Sequence, residues 1–311
     1  MGHGSYKASD WAKLKNSRSI STDSSAAEIF RKSVLQDKYN PRFIQVRESC
    51  DSDDSPASTP IIIAFDVTGS MGYLAAEIAK NSLNKTILEL YDKQPVTNPH
   101  VMCAAITQPI PDGGLQVTQF EADIRVVEQL LDLKVGFGGN IYSYDSLVWY
   151  FAAKHTSIDS FKKRGKKGFL FCIGDEVCGY ARHEKLSKNE ILRVFGDKAD
   201  HDYPLRELAD MALEQYEIFH IVTDNRTGTR VFDSWNDFLP GRVAVVNARD
   251  VNYLSEIITS IMQLANGANR ADVLAQWDKT AQPIVEKAIA HIKFGADEKK
   301  KGGGLFKRLF S

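Results

Sequence analysis

The chain has 311 residues, 43% of them apolar and 25% charged, with a formal net charge of −1. That balance allows a sizeable core and argues against a polyanion binder, so no nucleic-acid partner is expected. The four cysteines are scattered. They form no Cys-x-x-Cys pair or Cys/His cluster, which points to a reducing, cytoplasmic compartment and away from zinc.

In chain order, Met1–Lys7 has no apolar core, so no secretory signal is expected, and no apolar run is long enough to span a bilayer. Residues 1–59 read as a polar N-terminal extension. One short helix is expected over Ala26–Leu35, with Ile29, Phe30 and Val34 as its stripe, and Asp51–Pro60 reads as an acidic, Ser/Pro-rich linker. A compact domain is expected over 60–266. Ile61–Val67 is continuously apolar, as parallel strands buried on both faces are. Tyr73–Tyr91 has helical spacing, Val101–Thr107 reads as a strand, and Leu115–Phe120 returns after a connection too short for a parallel crossover. Helices are expected over Ala122–Leu133 and Tyr144–Lys154, on either side of the glycine-rich Gly136–Asn140. Gly168–Ile173 is a strand that runs into Gly174-Asp175-Glu176. Glu207–Gln215 (helix), Glu217–Val222 and Val243–Val246 (strands) and Val251–Ala265 (helix) complete the domain. A C-terminal helix over 267–294 is expected to kink at Pro283, and 295–311 is a flexible linker and tail. The fold class is α/β: a three-layer, doubly wound, mostly parallel sheet with one antiparallel edge strand.

The most informative stretch is Asp66-Val-Thr-Gly-Ser70, where the first strand ends. One carboxylate and two hydroxyls, at Asp66, Thr68 and Ser70, suit a hard cation that takes oxygen ligands and keeps several waters, Mg²⁺ or Mn²⁺. Ligands in open α/β sheets collect outside the carboxyl ends of the strands. Asn140 and Asp175 lie in two other loops expected at that end. Helix capping is the plainer use of such residues, but it accounts for one hydroxyl and not for all three positions.

Asp66-Val-Thr-Gly-Ser-Met-Gly72 resembles the Asp-x-Ser-x-Ser metal-ion-dependent adhesion site of von Willebrand factor A domains, and the resemblance runs from about Ile61 to Ala265. It implies metal ligation by Asp66, Thr68, Ser70 and Asp175. Where the family has a middle-loop Thr this chain has Gly138-Gly-Asn140, so Asn140 is assigned, with Ser143 in reserve; Glu176 competes with Asp175. The resemblance also implies binding without turnover, with a partner protein's Asp or Glu completing the metal shell, and a ring-forming ATPase as one kind of partner. A rival resemblance is to the Asp-Lys-Thr-Gly-Thr loop of haloacid-dehalogenase-type phosphotransferases, with Asp66 as nucleophile. Val67 in place of Lys, and a helix with no room for a flap, speak against it.

Two charged segments remain. Lys162–Lys167 is a basic cluster expected at the end of the sheet opposite the metal, and it reads as a solvated loop. In Lys299–Ser311 a basic run and three glycines precede a short amphipathic peptide. Its Leu305, Phe306, Leu309 and Phe310 share one helical face, opposite Lys307 and Arg308. It resembles the membrane-targeting tail of the bacterial Min-system ATPase, which implies weak peripheral binding to an anionic membrane on the inner face.

Overall fold

The computed structural model describes residues 6–21, 23–68, 71–109, 113–135, 144–179, 185–224 and 229–294. An N-terminal arm forms α1 (Ala8–Arg18), α2 (Ala26–Ile29) and β1 (Arg47–Ser49). Strand β2 (Thr59–Asp66) leads into one helical rod made of α3 (Gly72–Glu77), a π turn over Ile78–Ser82, and α4 (Leu83–Asp92). Then come β3 (Pro99–Ile106), β4 (Leu115–Val117), α5 (Arg125–Leu130), α6 (Asp145–Lys154), β5 (Thr156–Ile158), α7 (Asp159–Arg164) and β6 (Gly168–Gly174). The second half holds β7 (Lys185–Leu186), α8 (Lys188–Phe195), β8 (Tyr203–Pro204), α9 (Leu205–Gln215), β9 (Tyr216–Asp224), α10 (Thr229–Phe238) and β10 (Val243–Asn247). Helices α11 (Leu254–Ala265), α12 (Arg270–Ala275) and α13 (Ala281–Ala288) close it.

The central sheet has the order β10-β9-β6-β2-β3-β4. Every pairing is parallel except β3 with β4. This is the three-layer, doubly wound architecture, with the antiparallel strand at one edge. Strand β2 divides its side chains between two cores. Ile61, Ile63 and Phe65 face the rod and α11, while Ile62 and Ala64 face α6 and α9. Each buried isoleucine contributes about 1.5–3 kcal/mol relative to exposure. At the amino end of the sheet a Cβ on Gly168 would lie 2.7 Å from Pro60 Cγ and 2.8 Å from the Pro60 carbonyl oxygen. Only glycine lets β6 approach β2 so closely there.

Several expectations change. The helix expected over Ala26–Leu35 is only α2. Ser25 and Glu28 start it as a reciprocal capping box, but Phe30 leaves the helix to enter the core, and Val34 stays exposed. The Asp51–Pro60 linker is folded down: the Asp51 carboxylate pairs with Arg164 and accepts from Ser58 N at 3.0 Å. Nearby, His100 joins Ser49 and Ser55 at 3.1 and 3.0 Å. The kink expected at Pro283 is a break at Asp278, whose Oδ1 accepts from Thr280 N and Ala281 N at 2.7 and 2.9 Å and restarts the chain as α13. Pro283 then sits in the first turn, where its missing N–H costs nothing. Helices α1, α7, α8 and α10 have no counterpart in the sequence reading. Trp11, Trp149, Trp235 and Trp277 are all buried in the cores. Among the described residues no helix is long and apolar enough to cross a membrane.

One buried carboxyl makes stability depend on pH. Glu89 of α4 accepts from Ser255 Oγ of α11 at 2.5 Å, beside Glu256, which pairs with Lys85. Burial, with the Glu256 charge adding to it, pushes Glu89 up to about 7 from an ordinary 4.5, against the Ser255 bond. The folded state therefore holds an extra proton between those values, and stability falls as pH rises through that window. Glu89→Gln is expected to raise the urea midpoint at pH 8 and to leave it nearly unchanged at pH 4. Equal shifts at both values would refute this account.

Candidate metal centre

Asp66 is the last residue of β2, and Asp175 follows the last residue of β6, its neighbour in the sheet. The two strand ends are close: a Cβ on Gly174 would lie 3.8 Å from Asp66 Cβ. Beyond Asp66 the chain stays in register for one more bond, Val67 N to Ile106 O at 3.1 Å, and then turns. Asp66 Oδ1 accepts from Thr68 N at 2.7 Å, an Asx turn that fixes the carboxylate against its own loop. Met71 N donates to Thr68 O at 2.9 Å, and Met71 is the N-cap of α3, with no side-chain capping bond. The bond described for Asp66 thus serves the loop and not the helix end.

Thr68 is fully buried, and its Oγ1 makes no hydrogen bond of ordinary geometry among the described residues. A buried hydroxyl without a partner costs about 1–3 kcal/mol. A cation at the strand ends would give that oxygen a partner. On the other loop, Trp235 Nε1 donates to Glu176 O at 3.0 Å and pins the Gly174-Asp175-Glu176 turn. Of the residues read as ligands from the sequence, the structure brings together Asp66, Thr68 and Asp175. Ser70, Asn140 and the reserve Ser143 lie outside the described residues, as does the whole Leu305–Phe310 peptide.

Electrostatics at the site are strained in one direction. Burial pushes the Asp66 carboxyl up to about 6. The Thr68 N–H and hydroxyl oppose the rise, and the nearby Asp175 and Asp145 charges add to it. Like charges crowded into a poorly solvated pocket are relieved by a cation.

Asp145 was not singled out in the sequence. It opens α6, is 5% exposed, and its Oδ2 lies 2.9 Å from His220 Nδ1 on β9. The His220 ring stacks on Trp235 with centroids 3.7 Å apart, and its Nε2 has no hydrogen-bond partner among the described residues. Burial, and then the Asp145 charge, hold the thiol of Cys172 well above its ordinary range. Cys172 and His220 are register partners one pleat below Gly174. A layer of polar, titratable side chains therefore lies beneath the strand ends. In sequence, an Asp at the start of a helix after a glycine-rich loop is indistinguishable from a cap, and its partner lies in a distant strand.

Among the described residues no three His, Cys, Asp or Glu side chains gather as a cage for a metal ion. The donors present are oxygens with few carboxylates. That fits Mg²⁺, which is commonly held by one or two carboxylates and several waters, and does not fit a closed zinc-type site.

No family model matches the sequence, and no curated protein matches it. Among solved structures, the chain is similar to the vWF domain of the type V pili tip protein Mfa5 from Porphyromonas gingivalis (8% identity, TM-score 0.45, 68% of this chain and 97% of that one). It is also similar to von Willebrand factor type A from Catenulispora acidiphila (13% identity, TM-score 0.39, 67% of this chain and 42% of that one). A third likeness is to the pilus adhesin SpaC from Lactobacillus rhamnosus GG in an open conformation, at 10% identity and TM-score 0.44 over 66% of this chain. The chain spans 30% of the length of SpaC.

The Asp145–His220 pair makes a measurable claim. Asp145→Ala leaves the buried imidazole without its partner, so the variant is expected to lose about 1–3 kcal/mol in urea denaturation. His220→Phe, which keeps the stack on Trp235 and removes the polar atoms, is expected to make the Asp145 substitution cheaper in a double-mutant cycle. Strictly additive losses would show that the two side chains do not interact.

Proposed function

We propose that this chain is a von Willebrand factor A-type protein-binding module, without turnover, that holds Mg²⁺ or Mn²⁺ at the carboxyl ends of β2 and β6. The observation that carries this reading is the fully buried Thr68 Oγ1 next to the Asp66 carboxylate, with no hydrogen bond of ordinary geometry among the described residues. Asp66, Thr68 and Asp175 are the protein ligands, with Ser70 and either Asn140 or Ser143 added as the resemblance implies. The cation supplies a Lewis-acidic centre for a partner's carboxylate; the chain's own residues hold it with little negative charge, so that an incoming Asp or Glu displaces a water favourably. Support also comes from the helix that starts at Gly72, straight after the loop. It leaves no insertion for the flap that an aspartate-based phosphotransferase would use.

The partner proposed is a protein offering an Asp or Glu, with a ring-forming ATPase as one candidate. The location proposed is the cytoplasm, peripheral on the inner membrane face through Leu305, Phe306, Lys307, Arg308, Leu309 and Phe310. One such short peptide binds lipid weakly and reversibly.

Two measurements test these statements. In calorimetric titration with Mn²⁺, wild type is expected to bind, and Asp66→Ala and Thr68→Ala to weaken binding by at least about tenfold, the scale of loss on removing even an outer-shell partner. Indistinguishable isotherms would leave a metal-free structural role. In flotation with vesicles containing anionic lipid, full-length protein is expected to rise and a chain ending at Lys301 to stay behind; equal behaviour of the two sinks the membrane assignment.

A further inference from the structure

The opposite end of the sheet holds a cavity of about 620 Å³, within the range of small-molecule sites. Residues from the amino ends of three parallel strands line it: Thr59 of β2, Phe169 of β6 and Glu217 of β9. The basic cluster expected to be only a solvated loop forms one wall, through Arg164, Lys166 and Lys167, against the single carboxylate of Glu217.

These cations are not equivalent. Arg164 is locked in place: it pairs with Asp51, and its Nη2 donates to Ser58 O at 2.8 Å. Lys167 Nζ donates to Leu213 O at 2.6 Å and lies 3.7 Å from Glu217 Oε1. Lys166 is exposed, and no carboxylate pairs with it among the described residues. A lysine ammonium without a partner at the mouth of a cavity is a point charge suited to phosphate.

A second observation points independently to a ligand. Ser160 lines the same cavity, is 2% exposed, and its Oγ has no hydrogen-bond partner among the described residues. Its backbone is tied into the wall, because Lys166 N donates to Ser160 O at 2.9 Å. The hydroxyl and the Lys166 side chain thus line one cavity from two segments joined by that backbone bond. An acceptor oxygen brought in by a ligand satisfies both. Phe169, Pro95 and Val96 supply an apolar wall beside these polar groups.

We propose that this cavity binds a phosphorylated small molecule, its phosphate held by Ser160 Oγ, Lys166 and Lys167 and its organic part against Phe169 and Val96. The limited volume favours a small ligand over an extended polyanion. The site is independent of the metal reading. Strand β2 separates the two ends by on the order of 23 Å, at about 3.3 Å per residue from Thr59 to Asp66.

The test uses the full-length protein with EDTA present, so that no metal contributes. Inorganic pyrophosphate and ATP are titrated by calorimetry at low salt. Both are expected to bind, ATP at least about tenfold more tightly because it also uses the apolar wall. Lys166→Glu is expected to weaken each by at least about tenfold, Ser160→Ala by severalfold, and Asp66→Ala not at all. Lys166 is exposed, so its variant is not expected to compromise folding, and an unchanged thermal midpoint without ligand checks this. Absence of binding by both probes at millimolar concentration overturns the proposal, as does wild-type affinity in Lys166→Glu. ATP binding no tighter than pyrophosphate overturns the assignment of the apolar wall.

Discussion

Strand β2 is hydrogen-bonded along both edges, to β6 and to β3, and buried on both faces. Nothing in such a strand can slip by one residue without exchanging two cores. That constraint fixes where Asp66 emerges and places the start of its loop next to Gly174. The cost falls on Asp66 itself, a carboxylate held in a pocket with two other acidic residues close by. A strand this well secured tolerates a poorly solvated charge at its tip, and a cation site needs such a charge held in place in advance of the ion.

The two ends of the sheet differ in electrostatic character. At the carboxyl end the described groups are acidic and mostly buried: Asp66, Asp145 and Asp175, with one imidazole beneath them. At the amino end they are basic and anchored by backbone carbonyls, through Arg164 and Lys167. A net charge of −1 over the whole chain conceals this polarity. Composition reports the sum, and recognition depends on how that sum is distributed.

Much of the fold could be read from the sequence because its signals were local. Ile61–Ala64 announced a strand buried on both sides, and the short Pro109–Gly114 connection required an antiparallel return at β4. Asp66 was legible because two hydroxyl residues follow it at alternate positions. Asp145 was not, since its meaning depends on His220, 75 residues away, and on the Trp235 ring that supports that imidazole. The same holds at the helix ends. The apolar spacing of Ile29, Phe30 and Val34 suggested a helix, but Phe30 gains more by turning into the core than by continuing it. Asp278 interrupts a helical pattern by offering its carboxylate to two backbone N–H groups, a competition that spacing alone does not reveal. The N-terminal arm is polar on average, which leaves its packing undetermined in the sequence, yet Tyr6, Trp11, Leu14 and Ile20 join the same core as the rod.

The π turn over Ile78–Ser82 has a consequence for how the site came to sit where it does. A π turn amounts to an α-helix carrying one inserted residue, and each residue of an α-helix turns its successor by about 100°. The surplus residue therefore sets the rotational phase between α4, which is keyed into α11, and α3, which carries the loop that begins at Asp66. Deleting a single residue from this stretch would leave a helix of better hydrogen-bond geometry and nearly the same length. It would also swing Leu74 and Ala75 out of the core. The placement of α3 on the core is thus stored as a phase angle, set in a segment further along the rod.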